Sequence, residues 1–540
     1  MAKKIIKIES INGGWASNAR YAASDQFSWS EGIDPDKDID TATGSPQPSG
    51  MLSPTAYSKF SGANVNKFPI AIITTPKDTN IYVVLKNGRL ISYTSSFGSE
   101  TLIGTVTGSN ADGATYYNNY IYIFGTGASK DDVSRYGPLN NSPTLVDNVW
   151  KGATLGSQTA LTNTQYPTLN FGGDLLNHWG HVHTDSALYF CDVVNGQGVI
   201  HKIKTTKTTD EGDTNNGSTF NVLDLPIGFL PTDIESYGTD LIVLATSSSQ
   251  TTVIQGLASL FLWDTISDSF YRQVPLLDSL ATAIINHNGV IKIWSGAGTA
   301  GNVMRLSAYY GGFSVSELKG VTAGFPPAQG AVDFIGDRII FGTSFSVSST
   351  QGNQNQVLSY GSIYSGNRLG FHSIAKGSSS SGTGVSALKV VRTSGSSDTY
   401  GTYPQMIFGW DAGGGTAGID KSSDSASAVG TSWQSSVYTI GNPFTVKTVK
   451  LVFASNIGAN TNVRLKFVLD AGVNSSSTLT IDSTSFSGNC AVVDFGNSSS
   501  EVRGFNDLSL LITWVGSTEQ ISVLLPIIIE VETEEWTVSN

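Results

Sequence analysis

Cysteine is nearly absent: the chain of 540 residues holds two, Cys191 and Cys490, which excludes a disulfide-stapled scaffold. Charge is scarce as well. Asp, Glu, Lys and Arg make up 14% of the chain, against roughly 25% in an ordinary soluble domain, which excludes a coiled coil. No apolar run approaches the ~20 residues that a membrane-crossing helix needs. The longest near the end, Val523 to Ile529, is interrupted by Pro526. The start, Met1 to Ile8, is basic but lacks the apolar stretch of a secretory signal, so neither export nor membrane insertion is expected. Basic stripes are missing too. The formal net charge is −12 and the pI is near 4.9, which excludes coating or sequence-specific reading of nucleic acid, where phosphate neutralisation dominates affinity.

What remains is a chain rich in Gly, Ser, Thr and Asn with 10% aromatic residues. That texture builds strands and loops rather than helices, and the length suits two or three domains. One pattern returns seven times: an aliphatic-aromatic run, a polar loop and a second run. The copies begin at Ile81, Ile121, Leu188, Leu241, Ile291, Ile339 and Met406, separated by 40 to 67 residues. Partner runs follow at Leu90–Tyr93, Val133–Tyr136, Val199–Lys202, Leu260–Asp264, Val303–Leu306 and Val357–Tyr360. Polar turns such as Asn118-Asn119 and Asn288-Gly289 precede most copies. Runs apolar on consecutive residues suit strands covered on both faces. An inner strand, a tight turn, a central strand and an outer strand in ~50 residues is the unit of a β-propeller blade.

The expected fold is all-β, a β-propeller of about seven blades followed by an antiparallel β-sandwich of jelly-roll type. Residues 1–65 have sparse, aperiodic apolar positions and read as an extended arm ordered only by contact. The propeller takes 66–412. A Gly-, Ser- and Asp-rich stretch at 413–430 reads as a linker, and 431–540 as the sandwich, with Val463–Leu469 alternating cleanly.

Candidate sites are few. Asp34, Asp36 and Asp38 stand at alternate positions, the spacing of a calcium loop. Ile39 and Ser45 stand where that loop needs Gly and Glu, so the ordinary reading is a solvated acidic turn. The segment Asp210–Gly217 reads as a hairpin tip, and His201 to Lys207 as a solvated basic strand face. In His178-x-x-His181-x-His183, two imidazoles share a strand face and could meet one metal. No third ligand stands at tight spacing, though Asp174 and Asp185 are near. Both cysteines read as buried thiols. Gly-x-Ser-x-Gly, phosphate-loop and His-Glu-x-x-His motifs are missing, so no catalytic residue, metal or cofactor is expected.

An arm carrying Gly13-Gly14-Trp15, Asp25-Gln26-Phe27 and Gly32-Ile33-Asp34-Pro35 leads into the repeats. The last part opens Trp433-Gln434-Ser435-Ser436-Val437-Tyr438-Thr439-Ile440-Gly441. This order of parts resembles virion proteins of tailed bacteriophages, particularly tail-nozzle and head-to-tail assembly proteins. The resemblance implies a non-catalytic structural role, a homo-oligomeric ring, often six- or twelve-fold, and contact with other virion structural proteins. It implies synthesis in the host cytoplasm and residence in the virion. Two alternatives stand beside it: a propeller that binds host-surface glycan or receptor, and a glycan-degrading tail enzyme.

Overall fold

Low charge and runs of β-branched and aromatic residues leave strands as the only element that can bury this chain. A computed structural model describes residues 2–11, 13–16, 19–34, 46, 51–52, 68–94, 97–106, 109–127, 131–146, 180–194, 197–204, 218–247, 257–297, 303–322, 326–343, 356–361, 371–376, 384–391, 405–411, 417–422, 431–459, 461–496, 501–515 and 521–534. Among them the chain is all-β, with three 3-10 turns. No helix among the described residues is long and apolar enough to cross a membrane.

Seven antiparallel sheets of four strands follow one another along the described chain, at 69–105, 109–146, 180–224, 229–275, 280–322, 332–376 and 384–422. The seven repeated runs are the second strands, Ile81–Leu85, Tyr120–Gly127, Leu188–Val194, Asp240–Ser247, Val290–Ala297, Arg338–Thr343 and Gln405–Asp411. Each junction between neighbouring sheets encloses an apolar cluster. Tyr122, Phe124, Leu188 and Phe190 join sheets two and three, and Trp294, Leu306, Ile339 and Phe341 join five and six. Ile407 and Ile419 of the seventh sheet pack with Ile70 and Ile72 of the first, so the order closes on itself. This layout is consistent with a β-propeller.

The first strands repeat one irregularity. A β-bulge displaces Ile70, Asp112, Thr232, Thr282 and Ser386 in sheets one, two, four, five and seven. Bulges bend a strand and re-aim its side chains. Asp112 thereby meets Lys86 of sheet one in a buried ion pair. Glycine lets sheets approach where they are tightest. A Cβ on Gly409 would lie 2.5 Å from Pro69 at the seventh-to-first junction, a close approach of the kind that keeps glycine in a strand.

Two further sheets, of five and eight strands, enclose one core that includes Trp433, Phe444, Phe467, Trp514 and Ile529. Val463–Leu469 alternates as expected, Val463, Leu465, Phe467 and Leu469 inward. The arm is part of these sheets. Ala2–Ile8 pairs antiparallel with 527–533, and Gln26–Glu31 pairs with Thr431–Ser435. Ile6, Ile8, Ile11, Phe27 and Ile33 belong to the same core. Farther on, Met51–Leu52 pairs with Lys421 and Ser422 and becomes the fourth strand of the seventh sheet.

Several expectations need correction. Within the stretch read as a linker, Ala417–Ser422 is the third strand of the seventh sheet. Its single large aliphatic, Ile419, gave no period, yet Asp420 is fully buried there. Three strands per unit were expected, and each sheet has four. The outermost strands, such as Glu100–Thr105, are exposed edges with weak apolar patterning. Cys191 is buried, but Cys490 is exposed, because alternation in Cys490–Asp494 turns Ala491 and Val493 inward instead.

Candidate functional site

The second and third histidines of the cluster come together as the strand alternation requires, but on a hydroxyl. His181 Nε2 and His183 Nδ1 each lie 2.8 Å from Ser236 Oγ, across the junction of sheets three and four. His183 Nε2 lies 3.0 Å from the Thr239 carbonyl, which can only accept. In a neutral His183 the hydrogen therefore sits on Nε2, so that Nδ1 accepts from the Ser236 hydroxyl and His181 Nε2–H donates to Ser236 Oγ. The same His181 nitrogen lies 3.3 Å from Glu235 Oε1. Burial raises the Glu235 carboxyl to about 7. Burial, reinforced by His183, lowers His181 to about 4. A serine nucleophile needs its base held from the far nitrogen by an acid. Here the far nitrogen of His183 meets a neutral carbonyl, and Glu235 crowds the near nitrogen of His181. The hydrogen bonds of the cluster latch sheet three to sheet four. His178 and Asp174 lie outside the described residues. Asp185 is turned away to Lys202 and the Tyr189 hydroxyl. Among the described residues no three His, Cys, Asp or Glu side chains form a metal-binding group.

The latch belongs to a series. The residue just before the first turn of a sheet reaches the turn of the next sheet. Tyr117 donates its hydroxyl to the Ser186 carbonyl at 2.9 Å, His183 bonds Thr239, and His287 Nε2 bonds the Gly336 carbonyl at 2.8 Å. Asn286 Nδ2 closes the remaining gap by donating to the Ser236 carbonyl at 2.7 Å. Sheets two to six are thus tied edge to edge at one end. Sequence reading missed this role, although the position before each polar turn was its signal.

Asp34 is not a solvated turn residue. Its carboxylate is buried and pairs with Arg338 of sheet six, Nη1 to Oδ1 at 2.8 Å and Nη2 to Oδ2 at 3.4 Å. Arg338 is 0% exposed. Asp36 and Asp38 lie outside the described residues, as does Asp210–Gly217. His201, expected on a solvated face, is buried against Asp192 at 3.0 Å. Lys202 of that face pairs with Asp185, and Lys207 lies outside the described residues. The first strands of sheets one, two, six and seven surround a cavity of about 250 Å³, lined by Thr74, Thr115, Tyr116, Gln329 and Lys389 among others. Lys389 there pairs with Asp333 at 3.0 Å.

No family model and no curated protein matches the chain. Among solved structures it is similar to the computationally designed Ika8 protein, at 11% identity and a TM-score of 0.36, over 69% of this chain and 99% of that one. It is also similar to the WD40 domain of Neurospora crassa Pan2, at 11% identity and a TM-score of 0.38, over 66% and 89%.

Proposed function

We propose that the chain is a non-catalytic structural component of a bacteriophage virion, of the tail-nozzle or head-to-tail type, that assembles into an oligomeric ring with other virion proteins. In this reading the seven sheets are the blades of a propeller and the two terminal sheets a β-sandwich. The observation that carries the reading is the path of the arm. One segment supplies strands to both terminal sheets through Ala2–Ile8 and Gln26–Glu31, then closes the seventh sheet through Met51–Leu52. Between those strands Asp34 is tied to sheet six. Pairing residues 2–8 with 527–533, and 51–52 with the seventh sheet, resists opening under load. A part that transmits force gains from such closure. Electron microscopy of the purified protein, with mass spectrometry of mature particles, tests this. Closed rings, and the chain present in particles, are expected. A persistent monomer that cleaves polysaccharide with turnover, or absence from particles, would overturn it.

A further inference from the structure

The five-stranded terminal sheet has two open edges. Its strand order is Ala2–Ile8, Val523–Thr533, Phe444–Phe453 and Cys490–Asp494, with Val502–Gly504 also beside Phe444–Phe453. Ala2–Ile8 and Cys490–Asp494 are each paired on one side only among the described residues. An edge presents a row of unpaired N–H and C=O groups, a template for another strand. The backbone bonds identify the open groups. Phe495 N–H donates to the Lys447 carbonyl, and Phe453 N–H to the Asn489 carbonyl. Odd residues of 489–495 thus turn to Phe444–Phe453, and Cys490, Val492 and Asp494 turn their backbone groups outward. At the other edge Glu534 N–H donates to the Pro443 carbonyl. By alternation residues 533, 531 and 529 turn the opposite way, to their partners 2, 4 and 6. That leaves the backbone groups of Lys3, Ile5 and Lys7 on the open edge.

Each edge centres on an exposed aliphatic side chain, Ile5 at 60% and Val492 at 55%. Lys3 and Lys7 flank the first, Asp494 and Cys490 the second. Every pairing along the sheet is antiparallel, so the two edges, three steps apart, run in opposite directions. A second copy set alongside in the same orientation continues the sheet antiparallel, with Ile5 opposite Val492, Lys3 opposite Asp494 and Lys7 opposite Cys490. Lys3, already bonded to Glu530 at 2.7 Å, keeps N–H donors for Asp494. The inward residues Ile6 and Ile8 then extend the row of Ala491 and Val493. Apolar and opposite-charge pairs across strands stabilise such a join, and like charges oppose it. Two copies of Ala2–Ile8 centred on Ile5 would set Lys3 against Lys7. Two copies of Cys490–Asp494 would leave both Asp494 carboxylates without a cation.

We propose that Cys490–Asp494 of one copy pairs with Ala2–Ile8 of the next, joining copies edge to edge through one continued sheet. The inference rests on the ring reading and names its interface. Such a heterologous contact does not stop at two copies and gives a ring where the rotation closes. A join five residues long is small against the roughly 800 Å² that each partner of a stable pair contributes, so single joins are weak and closure of the ring strengthens them. Cross-strand neighbours hold their Cβ atoms about 4.5–5.5 Å apart, near the ~3.5–4.5 Å that a disulfide spans. Lys7→Cys in the full chain therefore supplies a thiol opposite the exposed Cys490 of the neighbouring copy. Oxidation with diamide and a non-reducing gel should give a ladder reaching past the dimer, lost when Cys490→Ser is added. Lys4→Cys, whose side chain turns inward toward the Thr439 carbonyl, should give none. Val492→Lys, with unchanged melting, should raise the concentration for half-assembly in sedimentation by about tenfold or more. A ladder that stops at the dimer would overturn the interface. Rings that form equally from Val492→Lys and give no ladder would overturn it too, while leaving the ring reading intact. A parent chain that stays monomeric at every concentration would overturn both.

Discussion

Asp34→Ala removes a carboxylate from one side of a bidentate pair whose other side, Arg338, is completely enclosed. The guanidinium keeps its charge at every accessible pH, so the loss cannot be relieved by deprotonation. Breaking a buried pair on one side costs about 3–5 kcal/mol. Asp34 and Arg338 are 304 residues apart in sequence, so little of this cost is shared by the unfolded chain. Urea denaturation followed by tryptophan fluorescence should show the first transition moving to lower urea by that amount. Replacing both partners by apolar residues, Asp34→Leu with Arg338→Met, should recover most of it, because the stranded charge is gone. A calcium-ligand role for Asp34, which the alternate spacing of Asp34, Asp36 and Asp38 brings to mind, makes a different forecast: stability of the parent would rise with added calcium and fall with chelator. An Asp34→Ala midpoint within about 0.5 kcal/mol of the parent, or a calcium-dependent parent, would refute the buried-pair assignment.

Glu235 gives a pH-dependent test. Its folded carboxyl is raised by burial to about 7 from 4.5, so its stabilising protonated form is fully held below pH 4.5 and is lost as pH rises through 7. Glu235→Gln should match the parent near pH 5 and be more stable at pH 8, by up to about 3 kcal/mol; thermal melts with equal effects at the two pH values would contradict this. His181 runs the other way, its neutral form favoured by burial, so stability falls as pH drops from 6.5 through 4. Residues 431–540 alone should not fold cooperatively, because they lack Ile6, Ile8, Ile11, Phe27 and Ile33 of their own core. Each such side chain is worth about 2–5 kcal/mol, together more than the typical margin of about 5–15 kcal/mol. Adding residues 1–34 through a flexible tether should restore a sharp melt, and a cooperative melt of 431–540 by itself would refute the claim.

The seven second strands were legible because both of their faces are covered. Leu241–Ala245 and Ile81–Leu85 have no polar alternation to confuse with a helix or an exposed strand. What stayed hidden depends on distant partners. Nothing local in Lys3-Lys4-Ile5-Ile6 announces pairing with Val531 and Ile529. Ala417–Ser422 reads as a flexible spacer until its neighbours Gln405–Asp411 and Met51–Leu52 are beside it. For the same reason a buried ion pair looked like a surface carboxylate at Asp34. The histidines mislead by type: His181 and His183 have the spacing of metal ligands, whereas His181 from its strand and His183 from its place before a turn tie one sheet to the next.

Hydrogen exchange on the isolated monomer, resolved by mass spectrometry, tests the arm most directly. If the first residues are built into the terminal sheets, the amides in 5–8 and 26–31 that donate to their partner strands should exchange far more slowly than an unstructured peptide, although 2–8 is an edge strand and its remaining amides are open to solvent. Their protection should not depend on protein concentration. Exchange at the rate of an unstructured peptide in the monomer, slowing only on assembly, would contradict the closure of the chain on itself.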